Sequence, residues 1–283
     1  MAIDSPESGA QKARARALII PREHGAWGLL LVPLLTGVVA SFASSHQTWP
    51  LVLFTGAALF MFWLRTPVES LLGSGPITAQ TSREKRAAVA ATIVLAAASV
   101  GCLIGLMWPG RNLKLLLVGL VAASSFAIQA VLRKLGRDTR MASQLAGAVA
   151  LTSTAPAAYY VGTGNLDARA FVLWLMNWLF AWNQIHFVQL SIHAARAATL
   201  SERFIRGKVF FVAQTLVLAG LVFASLRRLV PPLVILAFLP IVVRGTWWFF
   251  RGPKPLDIKA LGWSEMTQGA VFGILLSLAF LLP

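Results

Sequence analysis

Nine apolar runs, each nearly long enough to cross a bilayer, recur along this chain of 283 residues. A transmembrane helix needs about 20 apolar residues. Lipid offers no hydrogen-bond partner to backbone N–H and C=O groups, so such runs are predicted to be helices. The predicted spans are residues 25–43, 49–64, 87–108, 113–132, 143–161, 168–190, 209–226, 230–250 and 263–282. The sequence therefore predicts an all-α, polytopic membrane bundle of about nine transmembrane helices.

The charged residues are few and unevenly placed. Only 12% of the residues are charged, yet the net charge is +15. With nine spans, 20 of the 25 Lys and Arg fall on the side of the amino terminus and five on the other. Cytoplasmic loops of membrane proteins carry the excess of Lys and Arg, so the amino terminus is predicted inside and the carboxyl terminus outside. This distribution explains the basic charge by topology and by attraction to anionic membrane lipid, and no nucleic-acid partner is expected.

The chain organisation follows from this topology. Residues 1–20 are predicted to be a basic cytoplasmic tail, and residues 21–283 a single transmembrane domain of a cell inner membrane protein. Two connecting segments on the predicted cytoplasmic side are long, 65–86 and 191–208, whereas the outer ones are short. A polar site is therefore expected to open towards the cytoplasm.

The start of the first span combines Glu23, His24 and Trp27 with a preceding Pro21. Proline and a carboxylate both suit a first helical turn, so one interpretation is a stable helix start at the interface. His24 titrates near neutral pH, and Gly25 allows close approach to the backbone. A second interpretation is therefore that Glu23, His24 and Trp27 belong to a ligand site.

The sixth span has an unusual polar content for a helix in lipid. Asn183, His186, His193 and Arg196 fall on one stripe at about 100° per residue. Intramembrane polar groups usually face the bundle interior or a wet cavity, although Asn and Gln also join helices in purely structural roles. The polar set of this span comprises Asn177, Trp182, Asn183, Gln184, His186, Gln189 and His193.

Two further polar groups reach the same predicted leaflet. Arg65 and Glu69 follow the second span, and Glu265 enters the ninth span with Gln268 close behind it. We predict that the three charged residues, Arg65, Glu69 and Glu265, line one cytoplasm-facing cavity with Asn183, His186 and His193. Histidine and carboxylate side chains can ligate a metal, but these are scattered over four helices, so no metal site is predicted and the cofactor stays open.

The segment Pro21 to Gly37 closely resembles the signature of the YwiC-like family of bacterial membrane proteins. It reads Pro-Arg-Glu-His-Gly-Ala-Trp, followed after Gly28 and Leu29 by Leu-Leu-Val-Pro-Leu-Leu-Thr-Gly. The resemblance implies a similar multi-span architecture over most of the chain.

A more distant resemblance is to the UbiA-type intramembrane prenyltransferases, carried by three segments: 32–37, 147–164 with its Ala-Tyr-Tyr-Val-Gly-Thr-Gly ending, and the start of a motif at Asn183. It implies nine helices around a cytoplasm-facing cavity. Those enzymes bind Mg²⁺ and a prenyl diphosphate through two Asp-rich motifs. At the matching positions this chain has Arg65 and Glu69, then His186 and Leu190. Standard Mg²⁺-diphosphate transfer is therefore not expected, and any enzyme here would be a divergent transferase of this type.

Three hypotheses remain open at this point. In the first, the cavity binds a lipophilic isoprenoid- or quinone-like molecule, with Asn183 and His186 lining it, His24 and Glu23 at its mouth, and Arg65 at a negative head group. The second is a proton-coupled transporter or permease, which buried His and Glu would suit. The third is a metal or haem site built from His24, His186 and His193.

Overall fold

A computed structural model describes residues 13–14, 16–21, 24–43, 48–73, 77–107, 113–136, 138–194, 197, 199–250 and 257–282. These residues group into two compact units. The first takes the described residues of 1–24 and 48–111, and the second those of 25–47 and 112–283.

Every regular element in the described ranges is a helix. The helices are α1 (His24–Phe42), α2 (Thr48–Leu72), α3 (Ser82–Met107), α4 (Leu113–Lys134), α5 (Arg140–Thr152), α6 (Thr154–Thr163), α7 (Ala168–His193), α8 (Leu200–Leu226), α9 (Leu233–Phe250) and α10 (Ile258–Leu281). Each predicted span coincides with a helix, or with two in the case of 143–161. Seven of the helices, α1–α4 and α8–α10, are long and apolar enough to cross a membrane. The all-α, multi-pass membrane fold is thus confirmed.

The fifth predicted span is divided at Ser153 into α5 and α6. The Oγ of Ser153 donates to the carbonyl of Ala150 at 2.7 Å, and the Oγ1 of Thr154 donates to that of Leu151 at 2.7 Å. Pro156 has no N–H to continue the ladder. Hydroxyl groups that bond backward compete with helical hydrogen bonds, and together with the proline they account for the break.

The two long cytoplasmic segments expected at 65–86 and 191–208 are mostly helical, which corrects that expectation. Pro67 lies inside α2, which continues to Leu72. At the start of α3, a carboxylate oxygen of Glu84 accepts from the backbone N–H of Thr81 at 3.1 Å, while the Thr81 hydroxyl accepts from the N–H of Glu84 at 3.2 Å. This reciprocal capping box starts the helix before the apolar run begins.

The first unit consists of α2, α3 and the described residues before Pro21. Arg14 Nε donates to Glu84 Oε1 at 2.7 Å, and Trp63 Nε1 donates to the carbonyl of Ile19 at 2.8 Å. Leu18 is almost fully buried. Part of the predicted basic tail is therefore packed on this helix pair.

The second unit holds α1 and α4–α10. Gly37 on α1 lies so close to α6 that a Cβ atom there would be 2.9 Å from the Cβ of Ala158. Asn177 Nδ2 on α7 donates to Thr36 Oγ1 on α1 at 3.0 Å. The rings of Phe180 and Phe272 stack with centroids 4.0 Å apart and join α7 to α10. Helix α7 therefore has packing partners on several sides.

Candidate functional site

Helix α7 carries most of the polar residues that the sequence singled out. It begins at Asp167, whose side chain accepts from the N–H of Ala170 at 3.1 Å and caps the helix. It packs against α5, α6, α8 and α9. Among its polar side chains, Asn177 bonds to Thr36 on α1 and Gln189 bonds to Gln144 on α5. Two further groups of its side chains are directed to α9 and α10 on one side and to α8 on the other.

On the first side, Arg244 of α9 connects α7 with α10. Its Nη1 donates to Glu265 Oε1 at 2.6 Å and to Ser264 Oγ at 3.3 Å. Its Nη2 donates to Gln184 Oε1 on α7. The guanidinium carbon lies 4.0 Å from the ring centroid of Phe187. Three helices thus meet at one cation.

This contact is largely withdrawn from solvent. The side chains of Arg244 and Glu265 are only 13% and 15% exposed. Removing two charges from water costs several kcal/mol per ion, and the pair repays this cost only when its geometry and additional hydrogen bonds are good. Gln184 and Phe187 supply such contacts, because one binds the guanidinium edge and the other its face. The arrangement can therefore stabilise the Arg244–Glu265 ion pair inside the bundle, largely shielded from solvent.

Two amide oxygens on α7 and α10, the helices that meet at Arg244, have no hydrogen-bond partner among the described residues. They are Oδ1 of Asn183, a residue only 2% exposed, and Oε1 of Gln268. Arg244 Nε is likewise unpartnered within that part of the chain. Hydrogen-bonding capacity therefore remains on each of the three helices that meet at the ion pair.

On the second side, His186 lies among aromatic rings. Its ring centroid is 5.4 Å from that of Trp182 and 5.8 Å from that of Phe210 on α8. Its Nδ1 atom is buried and has no partner among the described residues. His186 therefore faces α8, whereas Asn183 is on the stripe of Phe180 and Phe187.

An open groove of about 870 Å³ runs between α7 and α8 on this side. Lys208 is the only charged residue among those that line it in the described part of the chain. The lining is otherwise apolar: Leu175, Met176, Trp178, Leu179, Trp182, Val209, Val212, Ala213, Leu216, Val217, Gly220, Leu221 and Ala224. Ligand pockets of roughly 300–1,000 Å³ with few polar groups are typical of proteins. The groove is suited to an apolar chain with a negative group near Lys208.

The other predicted site residues are distributed as follows. Arg65 and Glu69 form an ion pair with 2.9 Å between Nε and Oε1 within α2 of the first unit. His193 is exposed, and its Nδ1 is 2.7 Å from the carbonyl oxygen of Gln189. Trp27 is half-buried on α1. The predicted convergence of these residues on one cavity stays a prediction.

Some of the predicted residues cannot be placed in the site. Glu23 and Arg196 lie outside the described residues, and so does the side chain of His24, although its backbone begins α1. The described residues contain no group of three or more His, Cys, Asp and Glu that could hold a metal ion.

Comparison with known proteins adds the family. A sequence model of the YwiC-like proteins matches residues 20–159. The uncharacterized protein YwiC of Bacillus subtilis (strain 168) is 24% identical over 254 residues, which covers 90% of this chain and 95% of that relative. The chain belongs to the YwiC-like family. No solved structure matches it. Its resemblance to the UbiA-type enzymes stays a prediction.

The family match covers the amino-terminal part of this YwiC-like protein, including its signature, but not the Arg244–Glu265 pair or the groove. The matched residues 20–159 include α1 and its signature up to Gly37. Arg244, Glu265 and the α7–α8 groove lie beyond the matched range, in a part of the chain that the Bacillus relative largely covers. The family match therefore supports the membrane architecture and assigns no role to these groups.

Sequence reasoning missed Arg244 and Lys208 as site residues of this YwiC-like protein. Both were counted only as cytoplasmic charges. Arg244 could have been recognised, because it lies inside the predicted span 230–250 with Val243 before it and Trp247 shortly after it. A charge within an apolar span marks a functional or paired site. For Lys208, which directly precedes the span at 209, the sequence carried no such signal.

Proposed function

We propose that this YwiC-like protein is an inner-membrane protein that binds an anionic isoprenoid lipid in the groove between α7 and α8. The observation that supports the proposal is the lining of the groove, which is apolar along its length and carries one cation, Lys208. An isoprenoid chain would lie along the apolar walls, and its negative head group would meet the ammonium group of Lys208.

The dimensions of the groove support a long chain. Along α8 the lining extends from Lys208 to Ala224, which corresponds to about 24 Å at 1.5 Å per residue. The hydrocarbon core of a bilayer is about 30 Å thick. The ligand would therefore lie roughly along the membrane normal, with its head group at the predicted cytoplasmic side.

The aromatic residues near Lys208 support a head group at that end. Trp182 lines the groove, and His186 packs beside it. Tryptophan is enriched at the level of lipid head groups because its ring is apolar and its N–H is polar. His186 would assist by offering a ring nitrogen to the ligand once a chain is in place.

The experiment is to purify the protein from its native membrane and to measure the bound lipids by native mass spectrometry. The expected result is an isoprenoid species enriched over its share of the total membrane lipid. Ordinary phospholipid alone in the groove would overturn the isoprenoid assignment.

A matched pair of variants locates the binding. Gly220→Leu adds a side chain inside the groove, where a Cβ atom meets nothing within 4 Å. Gly119→Leu makes the same change at an equally open position on α4. Loss of the isoprenoid only in Gly220→Leu is expected, and equal retention in both variants would contradict a groove site.

A second pair tests the charge. Lys208→Gln should lower isoprenoid affinity about fivefold, because one Lys near an anionic head contributes about 1 kcal/mol. The control Lys85→Gln changes an exposed lysine on α3 that is also on the predicted cytoplasmic side. His186→Ala should weaken binding as well. An unchanged affinity in both Lys208→Gln and His186→Ala would remove the head-group assignment.

A further inference from the structure

The face of α7 opposite the groove carries a second set of polar groups, which the proposed lipid does not reach. Arg244 uses its two terminal nitrogens for Glu265, Ser264 and Gln184. Its Nε remains buried and unpartnered among the described residues, as do Oδ1 of Asn183 and Oε1 of Gln268. Asn183 adjoins Gln184 in the sequence, and Gln268 is one helical turn after Glu265. Buried polar atoms normally have a hydrogen-bond partner, so these three call for one.

Two contacts fix how α7 and α10 face each other. Phe180 stacks on Phe272 at 4.0 Å, and Gln184 Nε2 lies 3.5 Å from the carbonyl oxygen of Glu265. Because residue numbers rise along α7 and fall along α10 between these contacts, the helices are antiparallel. Asn183 and Gln268 are on the level between the two contacts.

Helical periodicity places the side chains of Asn183 and Gln268 in the layer between α7 and α10 that these two contacts enclose. Asn183 is three residues after Phe180 and four before Phe187, so the three share one stripe of α7. Gln268 is three residues after Glu265 and four before Phe272, so it shares the corresponding stripe of α10. The layer is therefore bounded by the stack of Phe180 and Phe272 on one side and by the guanidinium group over Phe187 on the other.

The three unpartnered atoms have a definite chemistry. Amide oxygens accept hydrogen bonds, and the guanidinium Nε–H donates one. A small molecule that carries two hydrogens and one acceptor atom would satisfy all three. Water has this composition, and buried water typically makes about three such bonds. A sodium or ammonium ion would satisfy the oxygens but would lie next to the positive charge of Arg244.

We propose that Asn183 Oδ1, Gln268 Oε1 and Arg244 Nε together bind a buried water molecule. This water hydrates the layer between the aromatic stack and the Arg244–Glu265 pair. The ion pair therefore lies beside a wet site inside the bundle and not in dry hydrocarbon. The site is on the other side of α7 from the groove and does not depend on the proposed lipid.

X-ray radiolysis in water tests the site on the intact protein in detergent. Hydroxyl radicals formed from bound water oxidise the nearest aromatic rings, even where bulk solvent has no access. Phe272 borders the layer, whereas Phe249 lies in a separate aromatic cluster, and both are only 1% exposed. The expected result is several-fold faster oxidation of Phe272, with ¹⁸O incorporated after exchange into H₂¹⁸O. Equal rates for the two rings would overturn the proposal.

Variants separate water from the other possible partners. The double change Asn183→Leu with Gln268→Leu should reduce oxidation of Phe272 to the rate of Phe249. Should the double variant fail to fold, Gln268→Met alone should still lower the rate relative to the parent. Unchanged oxidation of Phe272 in the variants would mean that the radicals do not come from a water bound by these residues, and it would overturn the proposal.

Two further outcomes would replace the water with another partner. A direct hydrogen bond between the amides of Asn183 and Gln268 leaves no room for water, and Phe272 would then show no excess oxidation in the parent protein. A sodium ion would make the oxidation rate and the melting temperature depend on exchanging NaCl for choline chloride. Either result would reject the bound water.

Discussion

The two sides of α7 differ in chemistry although they belong to one helix. Towards α9 and α10, it contributes Gln184 and Phe187 to the buried Arg244–Glu265 pair. Towards α8, it lines a groove that, among the described residues, is apolar apart from Lys208 of α8. The difference predicts that substitutions on the side that packs around the buried ion pair lower the stability of the protein strongly. Substitutions on the open apolar side should leave folding almost unchanged.

The largest expected effect on stability is on the side of α7 that packs around the Arg244–Glu265 pair. Arg244→Met should lower the stability of the protein by about 3–5 kcal/mol, because it leaves Glu265 buried without its partner. Thermal unfolding in detergent measures this effect. The double variant with Glu265→Met should be more stable than Arg244→Met alone.

Arg206→Met is the matched control for this loss of an arginine. Arg206 pairs with Glu202 one turn away on α8, and the two side chains are 44% and 36% exposed. Exposed pairs of this type contribute less than about 1 kcal/mol. Equal melting temperatures for Arg244→Met and Arg206→Met would remove the contrast between the two sides of α7.

The next effect concerns the contact of α7 with α1. Asn177→Leu should cost about 0.5–1.5 kcal/mol, the net contribution of a typical hydrogen bond, because it removes the bond to Thr36 while the Thr36 hydroxyl still donates to the carbonyl of Pro33. In a double-mutant cycle with Thr36→Val read by thermal unfolding, the two losses should add up to more than the loss of the double variant, because both changes remove the same hydrogen bond. Asn165→Leu, at an exposed position, provides the control. A loss no larger than that of Asn165→Leu would show that this contact does not hold α1.

Ligand binding on the open side should raise stability. At a concentration ten times its Kd, an added anionic isoprenoid should stabilise the parent protein by about 1.4 kcal/mol by mass action. Gly220→Leu, which fills the groove, should show no such shift in melting temperature, whereas Gly119→Leu should show it fully. A shift of equal size in Gly220→Leu would place the ligand elsewhere.

The smallest expected effect on stability is that of substituting Lys208, the cation that lines the groove. Lys208→Gln should change the stability of the ligand-free protein by no more than about 0.5 kcal/mol, because Lys208 is exposed. Lys85→Gln should behave in the same way. A large destabilisation by Lys208→Gln alone would show that the groove side also holds the fold together, and the contrast would then fail.

The sequence predicted the helices better than their ends or their contacts. Hydropathy located the helices α1–α10 of the described residues, because apolar length is a local property of the chain. It ended α2 too early, because Pro67 is accommodated inside that helix. It started α3 too late, because Glu84 caps that helix before its apolar run begins. Of the predicted site residues, Glu265 is in a buried ion pair, whereas its partner Arg244 is one of the 20 Lys and Arg on the predicted cytoplasmic side and was not predicted as a site residue.

The sequence by itself therefore determined that the chain is a multi-pass bundle of helices, because the cost of exposing backbone and charge to lipid depends on each segment alone. Tertiary structure decided which polar residues meet. Gln184, Arg244 and Glu265 are separated by 60 and 21 residues along the chain, and only the packing of α7, α9 and α10 brings them together. The same packing directs His186 to α8 and Gln184 to α9 and α10, because neighbouring positions on a helix face different partners.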